Sequence, residues 1–368
     1  MAVSNSSGAL PKVKVVFQDF YAEGQVNKPY RKQMGYRSID ASDALSDLTI
    51  TTTIADAQAG SANMTFTDPA GMMNNVHNGA RTYIYVENTL VFRGYVFSVS
   101  HREQDCSIVA YDKTRYLGSK EYFVTKKVGL YSFCKTISSM FWGGAEKVQV
   151  YSTATKALSA SQGKAFDKKT KLPAKAFTGE SLFSALVWAK DEYLKKTGIL
   201  YFIHDNLGKV GLYPITKFQS ELLFAPSTSL SDWEYKTEID SKTASVIKVV
   251  RDKSKGKKTT RKIATAKDIV TIRNIGYMVE TVTVDQDTKN RAMDELATSM
   301  LTVYKRTSKT LTLTSYCVPT LFAGYTVWVS LPKLVNQALS TPKRALVMSC
   351  THHISASDFT TELELHVA

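Results

Sequence analysis

Residues 83–111, YIYVENTLVFRGYVFSVSHREQDCSIVAY, alternate apolar and polar side chains over most of their length. A period of two marks strands buried on one face. The same alternation occurs at Val13, Val15 and Phe17, at Leu48, Ile50, Thr52 and Ile54, and at Met64 and Phe66. Asp68-Pro69-Ala70-Gly71 and Val91-Phe92-Arg93-Gly94 read as turns or bulges between these runs. Short strands at this spacing predict a small antiparallel barrel or sandwich.

The pattern changes after Arg115. Leu130, Phe133, Cys134, Ile137, Met140 and Phe141 follow helical spacing, and Gly143-Gly144 ends the run. The segment Ser152–Lys175, rich in Ser, Ala and Lys, has no clear period and reads as an exposed loop. A second helix is expected with Thr178 as cap, Leu182, Phe183, Leu186, Val187, Tyr193 and Leu194 on its apolar face, and Gly198 as its stop. A hairpin follows, Ile199–Ile203 and Val210–Tyr213 about an Asp205–Gly208 turn.

From Asp232 the β pattern returns. Ala244–Arg251 and Thr259–Ala264 read as a strand pair with Asp252–Lys258 as its tip. A helix is expected over 288–304, then strands at Thr310–Thr314, Tyr325–Leu331, Leu346–Ile354 and Thr361–Val367. The expected fold class is mainly β with an α/β insert. The divisions fall at 1–118, a first β-barrel domain, 119–230, an inserted α/β domain, and 231–368, a second β-barrel domain.

A chain of 368 residues has room for about two or three domains. With 43% hydrophobic and 22% charged residues, collagen-like, disordered and coiled-coil classes are excluded. No apolar run approaches the roughly 20 residues that span a bilayer, and Met1–Pro11 lacks a leader pattern. Asn5-Ser6-Ser7 and Asn63-Met64-Thr65 therefore read as chance matches to a glycosylation acceptor, and a soluble, cytoplasmically made protein is expected. Cys106, Cys134, Cys317 and Cys350 are widely spaced and read as free thiols.

The net charge of +14 is concentrated. Residues 115–175 hold 12 Lys/Arg against 3 Asp/Glu, and residues 251–273 hold 9 against 2. Such local patches favour an acidic partner surface or a polyanion. No aromatic residue lies among the lysines of 253–262 to stack on bases, so protein docking is favoured there over nucleic-acid binding. The candidate docking residues are Lys253, Lys255, Lys257 and Lys258, with Lys168, Lys169 and Lys171 in the other stretch.

Enzyme signals are weak. Nucleotide-binding glycine motifs, H-E-x-x-H and G-x-S-x-G are missing from the sequence. His352-His353 would point to opposite faces of a strand, which disfavours a shared metal. No Asp or Glu stands in a setting that suggests a raised pKa, and Asp191 and Glu192 read as a solvated helix face with Lys195 and Lys196. No catalytic, cofactor or metal residue is therefore assigned. The aromatic clusters Tyr83, Tyr85, Phe92, Tyr95 and Phe97, and Phe322, Tyr325 and Trp328, suit barrel cores or subunit interfaces.

Leu90–Val96 followed by Ile108–Leu117 resembles the hub proteins of phage contractile-tail baseplates, the XkdQ-like and late-control-protein-D-like families. Gly198–Tyr213, Asn274–Glu280 with the helix Ala292–Leu301, and Ala323–Val329 with His352-His353 and Thr361–Val367 continue the resemblance in order. The segment to Asp47 and the stretch 152–175 match nothing in that pattern. The resemblance implies two tail-tube-like barrels in one chain and a non-enzymatic homotrimeric ring adapting a six-fold tail tube to a three-fold central spike. Implied partners are the tube or its initiator, the spike, wedge proteins and the tape measure protein, with no membrane and no sequence-specific nucleic acid. The implied location is the virion tail baseplate, assembled in the host bacterial cytoplasm. A peptidoglycan hydrolase seated in the insert is the alternative.

Overall fold

The structure, a computed structural model, describes residues 11–22, 34–54, 58–152, 156–226, 230–239, 243–255, 258–284, 286, 288, 290–304, 308–316, 318–332, 339 and 341–367. It is mainly β, 51% strand against 24% helix, with an α/β insert, as the alternation predicts. The first strands are Val13–Ala22 (β1), Met34–Asp40 (β2), Leu45–Thr53 (β3), Ser61–Thr67 (β4), Arg81–Val86 (β5), Thr89–Arg102 (β6) and Asp105–Tyr111 (β7). The insert adds Lys120–Thr125 (β8), Leu130–Met140 (α1), Gln149–Val150 (β9), Ala160–Lys169 (α2), Lys175–Ser181 (β10) and Leu182–Thr197 (α3). Tyr201–Asn206 (β11), Lys209–Pro214 (β12), Phe218–Phe224 (β13) and Leu230–Glu238 (β14) follow. The remainder is Val246–Lys255 (β15), Lys258–Lys267 (β16), Ile269–Ile275 (α4), Val279–Val284 (β17), Asn290–Tyr304 (α5), Ser308–Tyr316 (β18), Tyr325–Val329 (β19), Lys343–Ser355 (β20) and Phe359–Val367 (β21).

The chain forms two compact units, Met1–Glu234 with Thr312–Ala368, and Tyr235–Leu311. In the larger unit the early and late strands share one sheet, because β3 pairs antiparallel with β20 from Asp47↔Ser355 to Thr53↔Ser349. The order continues through β4, β7, β6, β5, β1 and β2 on one side and through β21 on the other. One apolar face buries Val15, Phe17, Leu48, Ile50, Phe66, Ile84 and Ile108 with Ile354 and Phe359. The hairpin turn between β5 and β6 is made by Glu87 and Asn88, both left-handed. Val91–Gly94, read as a turn or bulge from the sequence, lies within β6, where the ladder to β5 steps from Ile84↔Phe92 to Tyr85↔Leu90 and leaves Val91 as the extra residue of a bulge. Gly94 is there because a Cβ would come within 2.4 Å of the Tyr111 carbonyl oxygen.

The insert core joins Phe133, Ile137 and Phe141 to Phe177, Leu182, Leu186, Tyr201 and Leu212. Gly198 ends α3 in the left-handed conformation, as expected, while Ser181 rather than Thr178 caps its start. The expected loop 152–175 is corrected: it contains α2, with a capping box of Ser159 and Gln162. Besides Phe166, which stacks on Tyr193 with ring centres 5.4 Å apart, it packs through Gly163 and Asp167, which hides the helix from a hydrophobic pattern. Buried Asp167 accepts from the Tyr131 and Ser132 N–H groups at the start of α1, both at 2.9 Å. Gly163 lies against the Tyr131 ring, where a Cβ would meet it at 2.4 Å.

In the smaller unit β15 pairs antiparallel with β16 and parallel with β17. Met293, Ala297 and Leu301 of α5 pack on Ile247, Val249 and Ala264. The expected tip at Asp252–Lys258 is corrected: β15 runs to Lys255 and β16 begins at Lys258, and these two residues face each other in the ladder. Among the described residues, no helix is long and apolar enough to cross a membrane.

Candidate functional site

The most constrained polar cluster lies where β7 gives way to the insert. Asp112 follows the last residue of β7 and opens a 3-10 turn over Lys113–Gly118. Its Oδ1 accepts from the Thr114 N–H at 2.9 Å and from the Thr114 hydroxyl, and its Oδ2 accepts from the Gly60 N–H at 2.9 Å. A Cβ on Gly60 would lie 2.6 Å from that Oδ2, so only glycine allows the approach. Asp205, at the end of β11, accepts from the Lys113 N–H at 2.9 Å and from the Gly208 N–H. The Lys113 ammonium donates to Glu146 at 2.6 Å and reaches the Gly208 carbonyl at 3.4 Å. Arg93 of β6 donates to the Leu207 carbonyl at 3.4 Å.

Both carboxyls are buried. Burial, followed by the neighbouring Asp205 charge, pushes Asp112 up to about 8 against the pull of its Thr114 and Gly60 donors. Burial likewise pushes Asp205 up to about 6, while the Lys113 and Gly208 N–H groups pull it down. This corrects the sequence reading that no acid stands in a pKa-raising setting. The signal available was Asp112-Lys113-Thr114 directly after an alternating strand, the pattern of a side chain capping a turn. Nothing in the sequence places Asp205 beside it.

Next to this cluster β11 and β12 carry an aromatic seam. His204 stacks on Phe322 with ring centres 4.4 Å apart, and Tyr151 stacks on Tyr213 at 4.1 Å. Phe218 packs edge-on to Phe322 at 4.9 Å, and the Lys217 ammonium lies 5.0 Å above the Tyr151 ring. Burial pulls His204 down to about 3, so it is a neutral aromatic here. His352 and His353 do face opposite ways, the first buried and the second exposed. The thiols of Cys106, Cys134 and Cys350 are free and buried, and Cys317 lies outside the described residues. Asp191 and Glu192, half-buried on α3, pair with buried Lys190 at 3.0 Å and exposed Lys195 at 2.7 Å, so the expected solvated face is only partly solvated.

The docking lysines divide between the two units. Lys168 and Lys169 are exposed in the last turn of α2 and Lys171 is exposed just beyond it. Lys253 is exposed on β15, while the side chains of Lys255 and Lys258, and all of Lys257, lie outside the described residues. The two-stranded ribbon β8–β10, whose second strand begins four residues after Lys171, exposes Tyr122 and Val124 at 79% and 75%. Among the described residues, no three His, Cys, Asp or Glu side chains are grouped to hold a metal. A shallow hollow lined by Pro11, Val13, Ser42, Ser46, Ile354 and Phe359 has no acidic, basic or imidazole side chain in its wall.

The fold is shared with phage tail proteins. The 43 kDa tail protein of prophage MuSo2 from Shewanella oneidensis matches with a TM-score of 0.65 at 13% identity, covering 95% of this chain and 98% of that one. A tail protein from Neisseria meningitidis MC58 matches at 0.62 and 14% identity, covering 96% of both chains. The E. coli c3393 protein, a type VI secretion component described as structurally similar to the T4 tail proteins gp27 and gp5, matches at 0.51 and 8% identity over 88% of this chain and 74% of its own. No curated protein sequence matches the chain. The family model that matches covers residues 48–366, from β3 to the penultimate residue of β21, and on that extent the chain belongs to the YQBQ-like family.

Proposed function

We propose that this chain is a non-enzymatic structural subunit of a tail baseplate, the hub that joins tube to spike. The observation that carries the reading is fold sharing along nearly the whole chain with the Shewanella tail protein. In this reading three copies form a ring, and residues 1–118 and 231–368 of each present tube-like barrels, so that a three-fold assembly offers six-fold geometry. Residues 119–230 form the inserted domain. The ring meets the tube or its initiator above and the spike below, with wedge and tape measure proteins as further neighbours. The assembly takes place in the host cytoplasm and ends in the virion.

Two basic stretches support protein partners with acidic surfaces, Lys168, Lys169 and Lys171 in one and Lys253, Lys255, Lys257 and Lys258 in the other. The ribbon bearing Tyr122 and Val124 gives the first stretch an apolar neighbour, the mixture found at interface centres and rims. The test is mass by light scattering, alone and after co-expression with the spike, with end-on images of the particle. A three-fold ring is expected. A chain that stays monomeric under every condition and joins neither spike nor tube overturns the reading. Lys255→Glu, Lys257→Glu and Lys258→Glu together should block assembly while the fold persists.

A further inference from the structure

The ribbon of β8 and β10 has two unlike faces. Inward, Phe177 is buried and Phe123 stacks on it. Outward, Lys120, Tyr122 and Val124 are exposed at alternate positions of β8, with exposed Thr178 and Ala176 opposite the last two. Lys126, exposed at the next alternate position, completes a run of charge, apolar, apolar, charge. Lys127 and Lys171 are exposed at the same end, where the Leu172 N–H donates to the Val128 carbonyl at 2.7 Å. Of the ribbon's glutamates, Glu121 alternates to the inner face and Glu180 accepts from the Thr178 N–H. Gly179 lies under Tyr122: a Cβ on it would come within 3.1 Å of the phenol oxygen. A large ring laid on glycine backbone and otherwise open to water is an anchor ordered before anything binds.

Among the described residues, β8 has β10 as its only ladder partner. In an antiparallel pair alternate residues turn their N–H and C=O groups away from the partner, so β8 keeps a free margin beside its exposed apolar pair. Such a margin takes up an extended segment as a further strand. The added strand would set its own alternate side chains beside Lys120, Tyr122, Val124 and Lys126, and the complementary order there is acidic, apolar, apolar, acidic. A second copy fits poorly: pairing β8 with itself so that Tyr122 meets Val124 puts Lys120 opposite Lys126 at both ends, like charge against like. A bilayer fits poorly too, since backbone groups of the margin would go unpaired in hydrocarbon. We propose that β8 is a docking strand for an extended segment of a partner protein, with apolar residues at two alternate positions flanked by Asp or Glu, which joins the ribbon as its third strand. That the partner is a neighbouring baseplate subunit rests on the function proposed above; the chemistry of the segment rests on the ribbon alone.

Fluorescence anisotropy of the purified full chain with a labelled synthetic peptide, Glu-Thr-Val-Thr-Val-Thr-Glu, tests this and needs no ring. Saturable binding is expected, weakened about ten-fold or more by Tyr122→Ser with Val124→Ser. Lys120→Glu with Lys126→Glu should reverse the preference, so that the same peptide ended by lysines binds instead. Hydrogen exchange should show amides of 120–126 gaining about ten-fold protection with the peptide bound, which contact through side chains alone would not give. Absence of saturable binding, indifference to both pairs of substitutions, or protection gained only elsewhere overturns the proposal. So does sedimentation with phosphatidylserine vesicles by a chain that ignores the peptide, or a self-associated mass that falls with Tyr122→Ser and Val124→Ser. Should the serine pair fail to fold, the charge reversal decides. A chain that binds the peptide but forms no ring keeps the docking strand and loses the hub reading, and a ring without peptide binding does the opposite.

Discussion

Gly324 sits so close to Phe202 that a Cβ on it would lie 2.3 Å from the ring, and its backbone is left-handed at φ +101°. The loop before β19 is thereby pressed onto the insert's aromatic seam. Gly324→Ala must both strain the backbone and displace the ring, so a loss of about 2–4 kcal/mol is expected. Chemical denaturation monitored by fluorescence measures it. A loss below about 1 kcal/mol would show that the contact is loose.

Asp167 ties α2 to the start of α1. Asp167→Ala leaves two part-buried N–H groups at the start of α1 without their carboxylate partner and should cost about 1–3 kcal/mol. Asp167→Asn keeps one acceptor and should lose less. Equal losses in the two variants would mean that packing rather than capping holds the helices together.

Phe177 is fully buried, stacked on Phe123 at 4.5 Å and edge-on to Trp188 at 5.3 Å. Phe177→Ala should cost about 3–5 kcal/mol. Thermal unfolding of the variant checks it, and Phe177→Leu should recover most of the difference.

His352 is buried between the Leu321 carbonyl at 2.9 Å and the Thr361 hydroxyl at 3.0 Å, and burial pulls it down to about 4. Its pKa is depressed on folding, so the neutral ring's stabilising share is complete above about pH 6.5 and is lost as pH falls toward 4. Stability measured from pH 7 to pH 4 should decline through that window, and His352→Gln should make the decline shallower.

Alternation made the strands legible wherever one face is buried and the other wet, as in β5, β7 and β20. Gly198 and the Asp205–Gly208 turn were readable because backbone conformation there demands particular residues. The helix at 160–169 was not, since Gly163 and Asp167 do the work that leucines usually signal. The Asp112–Asp205 seam was half legible. A capping aspartate shows in the sequence, but its neighbour lies 93 positions away, and only the folded chain brings the two into one desolvated space. Like the β3–β20 pairing, that proximity depends on long-range closure that no local pattern encodes.

The Leu45–Thr53 strand also sets a timetable. Its ladder partner at Lys343–Ser355 is made almost 300 residues later, a wait of about 15–60 s at ordinary ribosomal speeds. For that interval the nascent chain carries a bare strand margin bordering a half-roofed hydrophobic layer. Completion therefore waits until the later strand has been synthesised, and a chaperone that shields nascent strands should raise the yield of this protein.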